Sequence, residues 1–338
     1  MDADKGRAPN IRDVARRAGV SYQTVSRVLN DSGAVRPSTR SRVLVAIGEL
    51  GYRPNPAARA LATSRSRTIG VLSSQSGLYG PSTSIQAIEV AARAAGYRLS
   101  VTSIDSSEYD SIRAGLDHLL GQSIDALVVL APQVRVFEAI REASIGVPLV
   151  TLEATALDPG RGLSVDQERG ARMAVRHLID LGHTEIVHIG GPADWIEANA
   201  RFEGYVGELR DAGLRERAAI IGDWTAEFGY VAGGELLRER DFTAVFCGND
   251  QTALGFMHAC RDAGVLVPED VSVVGFDDTP ESTHFAPALT TIRQNFVEIG
   301  RRAVAVLIAE LDGVPGPGHE PIAPELIVRA STGPAARS

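Results

Sequence analysis

A chain of 338 residues, 44% hydrophobic and 22% charged, is long enough for two or three packed domains and has the balance of a globular protein. No apolar run approaches the roughly 20 residues of a membrane span, and the opening MDADKGRAPN is too charged for the core of an export signal. Both predict a cytosolic chain with no membrane partner. The net charge of −8 conceals an asymmetry, since residues 1–67 hold 13 Lys and Arg against 5 Asp and Glu while the remainder holds 21 against 37. A basic head on an acidic body suits a segment that meets phosphate locally, because such attraction is screened beyond about 8 Å in physiological salt.

In the head, Ile11, Val14, Ala15 and Ala18 share one helical face. Gly19 can make a tight turn and Ser21 can cap a second helix, in which Val25, Val28 and Leu29 point inward. After the loop DSGAVR, Pro37 and a capping Ser38 predict a third helix that buries Val43, Ala46, Ile47 and Leu50 and ends at Gly51. Two short helices meeting at a turn with a supporting third make a helix-turn-helix, whose second helix enters the major groove. Its early residues here are Tyr22 and Gln23, with Arg27 one turn on. Gln pairs with adenine and Arg with guanine in bidentate fashion, so this face is expected to read base edges. NPAARALATSRS then follows, Ala-rich and basic but too short to be a stable helix alone.

From Thr68 onward short apolar runs alternate with helical patterns: TIGVLSS, helix 83–95, YRLSVTSI, helix 109–121, DALVVLA, helix 134–143, PLVTLEA. A second series, TEIVHIGG, RAAIIGDW, TAVFCGND and VSVVGFDD, precedes LTTIRQ, a helix over 295–311 and a closing strand near 324–330. The alternation predicts an α/β core of two doubly wound parallel-sheet subdomains. Ligands of such sheets sit beyond the carboxyl ends of the strands. There the sequence places Ser73 and Ser74, Glu153, Asp223 and Trp224, Asn249 and Asp250, and Asp277 and Asp278. Each pair alone is ordinary turn chemistry. Together they predict a polar cleft in which carboxylates and amides bridge paired hydroxyls and Trp224 packs against a sugar face. Cys247 and Cys260 lie in apolar stretches and make no CxxC, so neither a disulfide nor a metal is expected, and no cofactor.

IRDVARRAGVSYQTVSRVLN, with VRPSTRSRVLVAIGELGYRPNPAARALATSRS after it, resembles the head and hinge of the lactose-repressor (LacI/GalR) family of bacterial transcription regulators. The likeness continues to about Arg329. It implies a helix-turn-helix head over 1–54 and a hinge helix with linker over 55–67. It also implies a type I periplasmic-binding-protein-like core, of 68–163 with 292–321 and of 164–291 with 322–332, and a tail over 333–338. By the resemblance Tyr22, Gln23 and Arg27 read bases, and Thr24, Ser26, Asn30 and Thr39 contact phosphate or backbone. Asn55 and Ala58 lie in a hinge helix that enters the minor groove, where Leu61 wedges between base steps. The positions matching the family's sugar site are Ser74, Leu78, Glu153, Arg201, Trp224, Asn249, Asp277, Gln294 and Phe296. Arg201, in NARFEGY, would clamp sugar hydroxyls while Asp277 and Asn249 take others. Glu153 stands where a shorter aspartate is the pattern and Ser84 where an apolar residue is, which implies a related but different sugar, a galactoside or a glucoside.

The expected function is therefore repression of carbohydrate-utilisation genes by a homodimer on a palindromic operator, released by a sugar, in the cytoplasm at the nucleoid. One recognition helix reads only a few base pairs, which argues for the symmetric pair. STGPAARS closes the chain without the leucine heptads of a tetramerising coil. An enzyme is disfavoured: there is no GxGxxG, GxxxxGK or HExxH, and HTEIVH spaces its histidines wrongly for one helix face. A purine-dependent corepressor of the same family remains an alternative, as does a sugar-binding receptor, though the latter lacks a basic head and needs an export signal. Trp195 either lids the cleft or packs locally.

Overall fold

The computed structural model describes residues 9–29, 35–53, 65–74, 77–153 and 160–335. They form two compact units, Met1–Arg67 and Thr68–Ser338. In the first, α1 (Ile11–Ala18) starts at Asn10, whose side chain accepts from the Arg12 and Asp13 amides while Asp13 reaches back to the Asn10 amide. It ends at Gly19, whose φ of 66° reverses the chain. Ser21 Oγ then accepts from the Thr24 amide at the start of α2 (Tyr22–Leu29). α3 (Pro37–Leu50) begins on proline, with Arg36 before it and no side-chain cap. The expected cap Ser38 lies inside the first turn, because Pro37 already has the helical φ and no N–H to satisfy. Val14, Val25 and Val43 are fully buried where the three helices meet.

The second unit contains two five-stranded sheets. The first has the order β2-β1-β3-β4-β5, all parallel: β1 (Thr68–Ser74), β2 (Arg98–Ile104), β3 (Ala126–Leu130), β4 (Leu149–Leu152) and β5 (Gly162–Leu163). Its faces are covered by α4 (Tyr79–Ala94), α5 (Tyr109–Gly121) and α6 (Val134–Glu142), together with a helix that returns from far along the chain, α11 (Phe296–Asp312). The second sheet comprises β6 (Ile186–Ile189), β7 (Ala244–Cys247), β8 (Ser272–Asp277), β9 (Thr290–Arg293) and the antiparallel edge β10 (Glu325–Ile327). It lies between α7 (Gln167–Asp180) with α8 (Ile196–Asp211) and α9 (Ala226–Glu239) with α10 (Asp250–Asp262). Strands buried on both faces explain their continuous apolar runs.

The chain passes between the sheets after β5, after β9 and before β10, and the outer two passages are tied by a parallel bridge between Val165 and Ile322. Two expectations shift. Ile292 and Arg293 pair within the second sheet, opposite Phe276 and Asp277, so the return to the first subdomain comes at 294 rather than 292. RAAIIGDW is not a strand: Ile220 makes one bridge to Ile189, Ile221 is 56% exposed, and the chain turns away at Gly222.

α9 and α10 cross at backbone contact through glycines. A β-carbon added at Gly255 would lie 1.8 Å from the Ala226 carbonyl oxygen, and one at Gly229 would lie 2.2 Å from that of Thr252. Alanine gains roughly 1 kcal/mol of helix propensity over glycine, but that backbone cannot yield without separating the helices. Gly255→Ala is therefore expected to lower stability by about 1–3 kcal/mol, measured by urea unfolding, despite the better helix former.

Candidate functional site

In the first unit, α2 buries Val25 and Val28 and turns Tyr22, 54% exposed, Gln23 and Arg27 outward. Gln23 and Arg27 are four apart, hence on one face. Thr24 and Ser26 are half-buried beside them, the Thr24 hydroxyl 2.9 Å from that of Ser21, and Thr39 is half-buried in the first turn of α3. Asn30, Asn55, Ala58 and Leu61 lie outside the described residues.

In the second unit, one cavity opens at the carboxyl ends of both sheets, enclosing about 580 Å³ between side chains counted out to its open rim. Leu78, Glu153, Arg201, Trp224, Asn249, Asp277, Gln294 and Phe296 all line it. Arg201 lies at its centre, 5% exposed, its guanidinium 4.0 Å from the ring centroid of Phe276 and 5.2 Å from that of Trp224. Its Nε donates to Gln167 Oε1 at 2.9 Å, Nη1 donates to the Gly248 carbonyl, and Nη2 stands 3.9 Å from Asp277 Oδ1. Glutamines carry the network across the passages between sheets. Gln167 Nε2 donates to Glu153 Oε2 at 3.0 Å and to Gln294 Oε1 at 2.7 Å, and Gln294 Nε2 donates to Asp277 Oδ1 at 2.6 Å. Asn249 caps α10 through the Thr252 amide and donates to the Trp224 carbonyl, which fixes the loop that carries the indole.

The backbone is strained at the same place. Glu153, Trp224 and Asp277 have φ of 60°, 71° and 110°, in the left-handed region that side chains disfavour. Burial pushes the Glu153 carboxyl up to about 7, against the lowering pull of Gln167 and Arg201. Burial likewise raises Asp277 to about 6, with Arg201 and Gln294 opposing it.

The other strand-end residues turn elsewhere. Ser74 is not among the cavity-lining residues: its Oγ donates to Gln133 Oε1 at 2.8 Å, and Ser73 donates to the Ser74 carbonyl. Asp223 accepts from the Thr225 amide and hydroxyl. Asp250 is buried behind the cavity, where Thr279 and Thr291 donate to it. Asp278 is ion-paired with Arg293 and Arg329. Trp195 lines the cavity edge-on to Trp224, ring centroids 5.6 Å apart, and pairs with Gln133 of the first subdomain. It packs within the cavity wall, 5% exposed.

The profile of bacterial regulatory proteins, lacI family, matches residues 10–55, and that of a periplasmic binding protein-like domain matches residues 175–332. The Lactose operon repressor of Escherichia coli (strain K12) is 35% identical, over 95% of this chain and 89% of its own. The chain belongs to the lacI family. Catabolite control protein A of Priestia megaterium is also 35% identical, over 88% of this chain and 91% of that protein. Among solved structures, a lac repressor dimer bound to operator and the anti-inducer ONPF gives a TM-score of 0.89 at 34% identity, covering 97% of this chain and 100% of that one. A complex of the transcriptional regulator CelR with cellobiose gives 0.72 at 30%, covering 96% and 99%.

Within this lacI-family core, sequence reasoning missed Gln167, Glu197 and Tyr79, all of which line the cavity. Glu197 had a signal: it precedes Arg201 by one helical turn, so both share a face of α8. Gln167 had none, since its role depends on where the chain crosses between sheets.

Asp250 is also raised to about 7, by burial first and then by Asp277. Glu153, Asp250 and Asp277 thus hold protons in the folded state at pH values where the unfolded chain has released them. Their contribution is fully present below about pH 4, and is lost as pH rises through about 6 to 7. Urea unfolding of the ligand-free protein is expected to show stability falling by a few kcal/mol, as an order of magnitude, from pH 5 to pH 8. Asp250→Asn mimics the protonated acid and should flatten part of that slope.

Proposed function

We propose that this chain is a transcriptional repressor of carbohydrate-utilisation genes that binds a palindromic operator as a homodimer and is released by a small sugar. The observation that carries the sugar reading is the cavity itself. Arg201, two glutamines, carboxyls and an indole face converge at the mouths of two parallel sheets, with alternating donors and acceptors suited to vicinal hydroxyls. The basic head and the exposed Tyr22, Gln23 and Arg27 support the DNA reading. The domain limits we assign are a head over 1–54, a hinge over 55–67 and a tail over 333–338, with the core subdomains exchanging near 164, 294 and 322. Catalysis is not part of this role, and the protein's place in the cell is the nucleoid.

Induction follows from linkage. A ligand touching Glu153 in one subdomain and Arg201 and Asp277 in the other favours one relative orientation of the two, and in a dimer that orientation governs the spacing of the hinges. Fluorescence anisotropy on palindromic DNA selected from a random pool, with and without a panel of mono- and disaccharides, tests the whole reading. Operator affinity should fall about 5- to 150-fold with the cognate sugar, and sugar affinity should fall by the same factor with saturating operator. Equal affinities would exclude the coupling, and tighter sugar binding on DNA would make the sugar a corepressor.

Two substitutions separate the sites. Arg27→Ala should cost about 1–3 kcal/mol against the best operator and relax preference at one base pair. Asp277→Ala strips Gln294 and Arg201 of an acceptor and should weaken sugar binding by about 1–3 kcal/mol or more. Measured by calorimetry, unchanged sugar affinity in Asp277→Ala would remove that residue from the site.

A further inference from the structure

The cavity holds more carboxyls than its cation can neutralise. Glu153, Glu197 and Asp277 line it, and Arg201 is the one guanidinium or ammonium group among its described lining residues. Asp277 stands beside Arg201 and accepts from Gln294. Glu153 accepts from Gln167 and, at 3.5 Å, from the Val165 amide. Glu197 is different: it is 8% exposed, and its Oε2 has no hydrogen-bond partner among the described residues. Glu153 leaves the end of β4 in the first subdomain, and Glu197 stands in the first turn of α8 in the second, so the two carboxyls come from opposite walls. Trp224 Nε1 is likewise buried without a partner.

We propose that the effector carries a protonated amino group seated between Glu153 and Glu197, which makes it an amino sugar or an amino-bearing oligosaccharide. This rests on the sugar reading above and narrows it. A neutral sugar offers hydroxyl donors to Glu197 but brings no charge to set against a second ionised carboxyl beside Glu153. An ammonium offers three donors and a positive charge, and with both carboxyls 8% exposed the charge pair is correspondingly strong.

The free protein meets the same constraint with protons. Burial, and then the nearby Glu153, hold the Glu197 carboxyl well above its usual range, with Asp277 adding to the effect and Arg201 opposing it. Glu153 is raised by burial and by Asp277. Asp250 stands behind Asp277, and Tyr79 faces the cavity from the start of α4. Binding is thus an exchange: the ligand's ammonium enters, a carboxyl O–H breaks, and its proton leaves to buffer, so the charge in the cavity is conserved. Lowering the pH opposes that exchange.

The test is calorimetry on the full chain with matched pairs: glucosamine and glucose, galactosamine and galactose, and the dimer of glucosamine against cellobiose. At least one amino member should bind more than about tenfold tighter than its hydroxyl partner, as expected for a buried charge pair. Measured in two buffers of different ionisation enthalpy, its binding at pH 7 should release about one proton, whereas the neutral partner should release none. N-acetylation of the amine should abolish the advantage, and so should Glu197→Gln. The proton count and the paired affinities of the unmodified protein stand even if that variant folds poorly. Equal or tighter binding by the hydroxyl member of every pair overturns the inference while leaving the sugar reading intact, as does binding of an amino sugar without proton release. Failure of every member to bind overturns both.

Discussion

A guanidinium buried against an aromatic ring is the constraint from which the ligand-binding half of this protein follows. Arg201 cannot shed its charge, and 5% exposure leaves it little water, so the fold must supply acceptors around it. It does so from distant stretches: Gln167 just beyond the first passage between sheets, the Gly248 carbonyl after β7, and Asp277 at the end of β8. Phe276 and Trp224 fill the remaining space with ring faces. Placing these groups around one cation requires backbone that side chains resist, as the positive φ of Trp224 and Asp277 records. The strands that carry Glu153 and Asp277 are buried along their length, which holds that backbone in place.

The same arrangement separates two electrostatic tasks within one chain. The head concentrates positive charge, with Arg27 exposed on a helix whose other face is sealed by valines, so its guanidinium is turned outward. The body concentrates negative charge, and in the cavity some of it lies out of water. Solvated charge is screened and acts mainly through number, whereas buried charge acts through the identity of its neighbours. The head therefore answers to salt and the cavity to pH and ligand chemistry.

Much of this was legible in the sequence, and for specific reasons. Periodicity marked helices and strands wherever the apolar pattern was long, as in TIGVLSS and the helix beginning at Phe296. Strand ends pointed to Glu153, Asn249 and Asp277, because a parallel sheet presents those positions to its ligand edge, and Trp224 was reached through a segment that turns out not to be a strand. The same rule also selected Ser74, Asp223, Asp250 and Asp278, which the structure uses to hold loops, since side-chain direction at a strand end depends on the local φ and not on residue type. RAAIIGDW looked like a strand because its hydrophobicity was real. Its hydrogen-bonding partner extends for one bridge only, which a linear pattern cannot reveal. Gln167 became visible only once the passages between sheets were known, whereas Glu197 was within reach of the sequence, four residues before Arg201 on one helical face.

The glutamine relay has a consequence for opening. Gln167 and Gln294 sit where the chain passes between the subdomains, and each amide points one way: Gln167 accepts from Arg201 and donates to Glu153 and Gln294, which in turn donates to Asp277. Separating the two subdomains takes these donors and acceptors out of the roughly 2.7–3.2 Å range of an N–H···O bond. The amides then re-pair with water. Opening the cavity is thus tied to exchanging the protein's own amide bonds for bonds to water, whichever ligand the cavity holds.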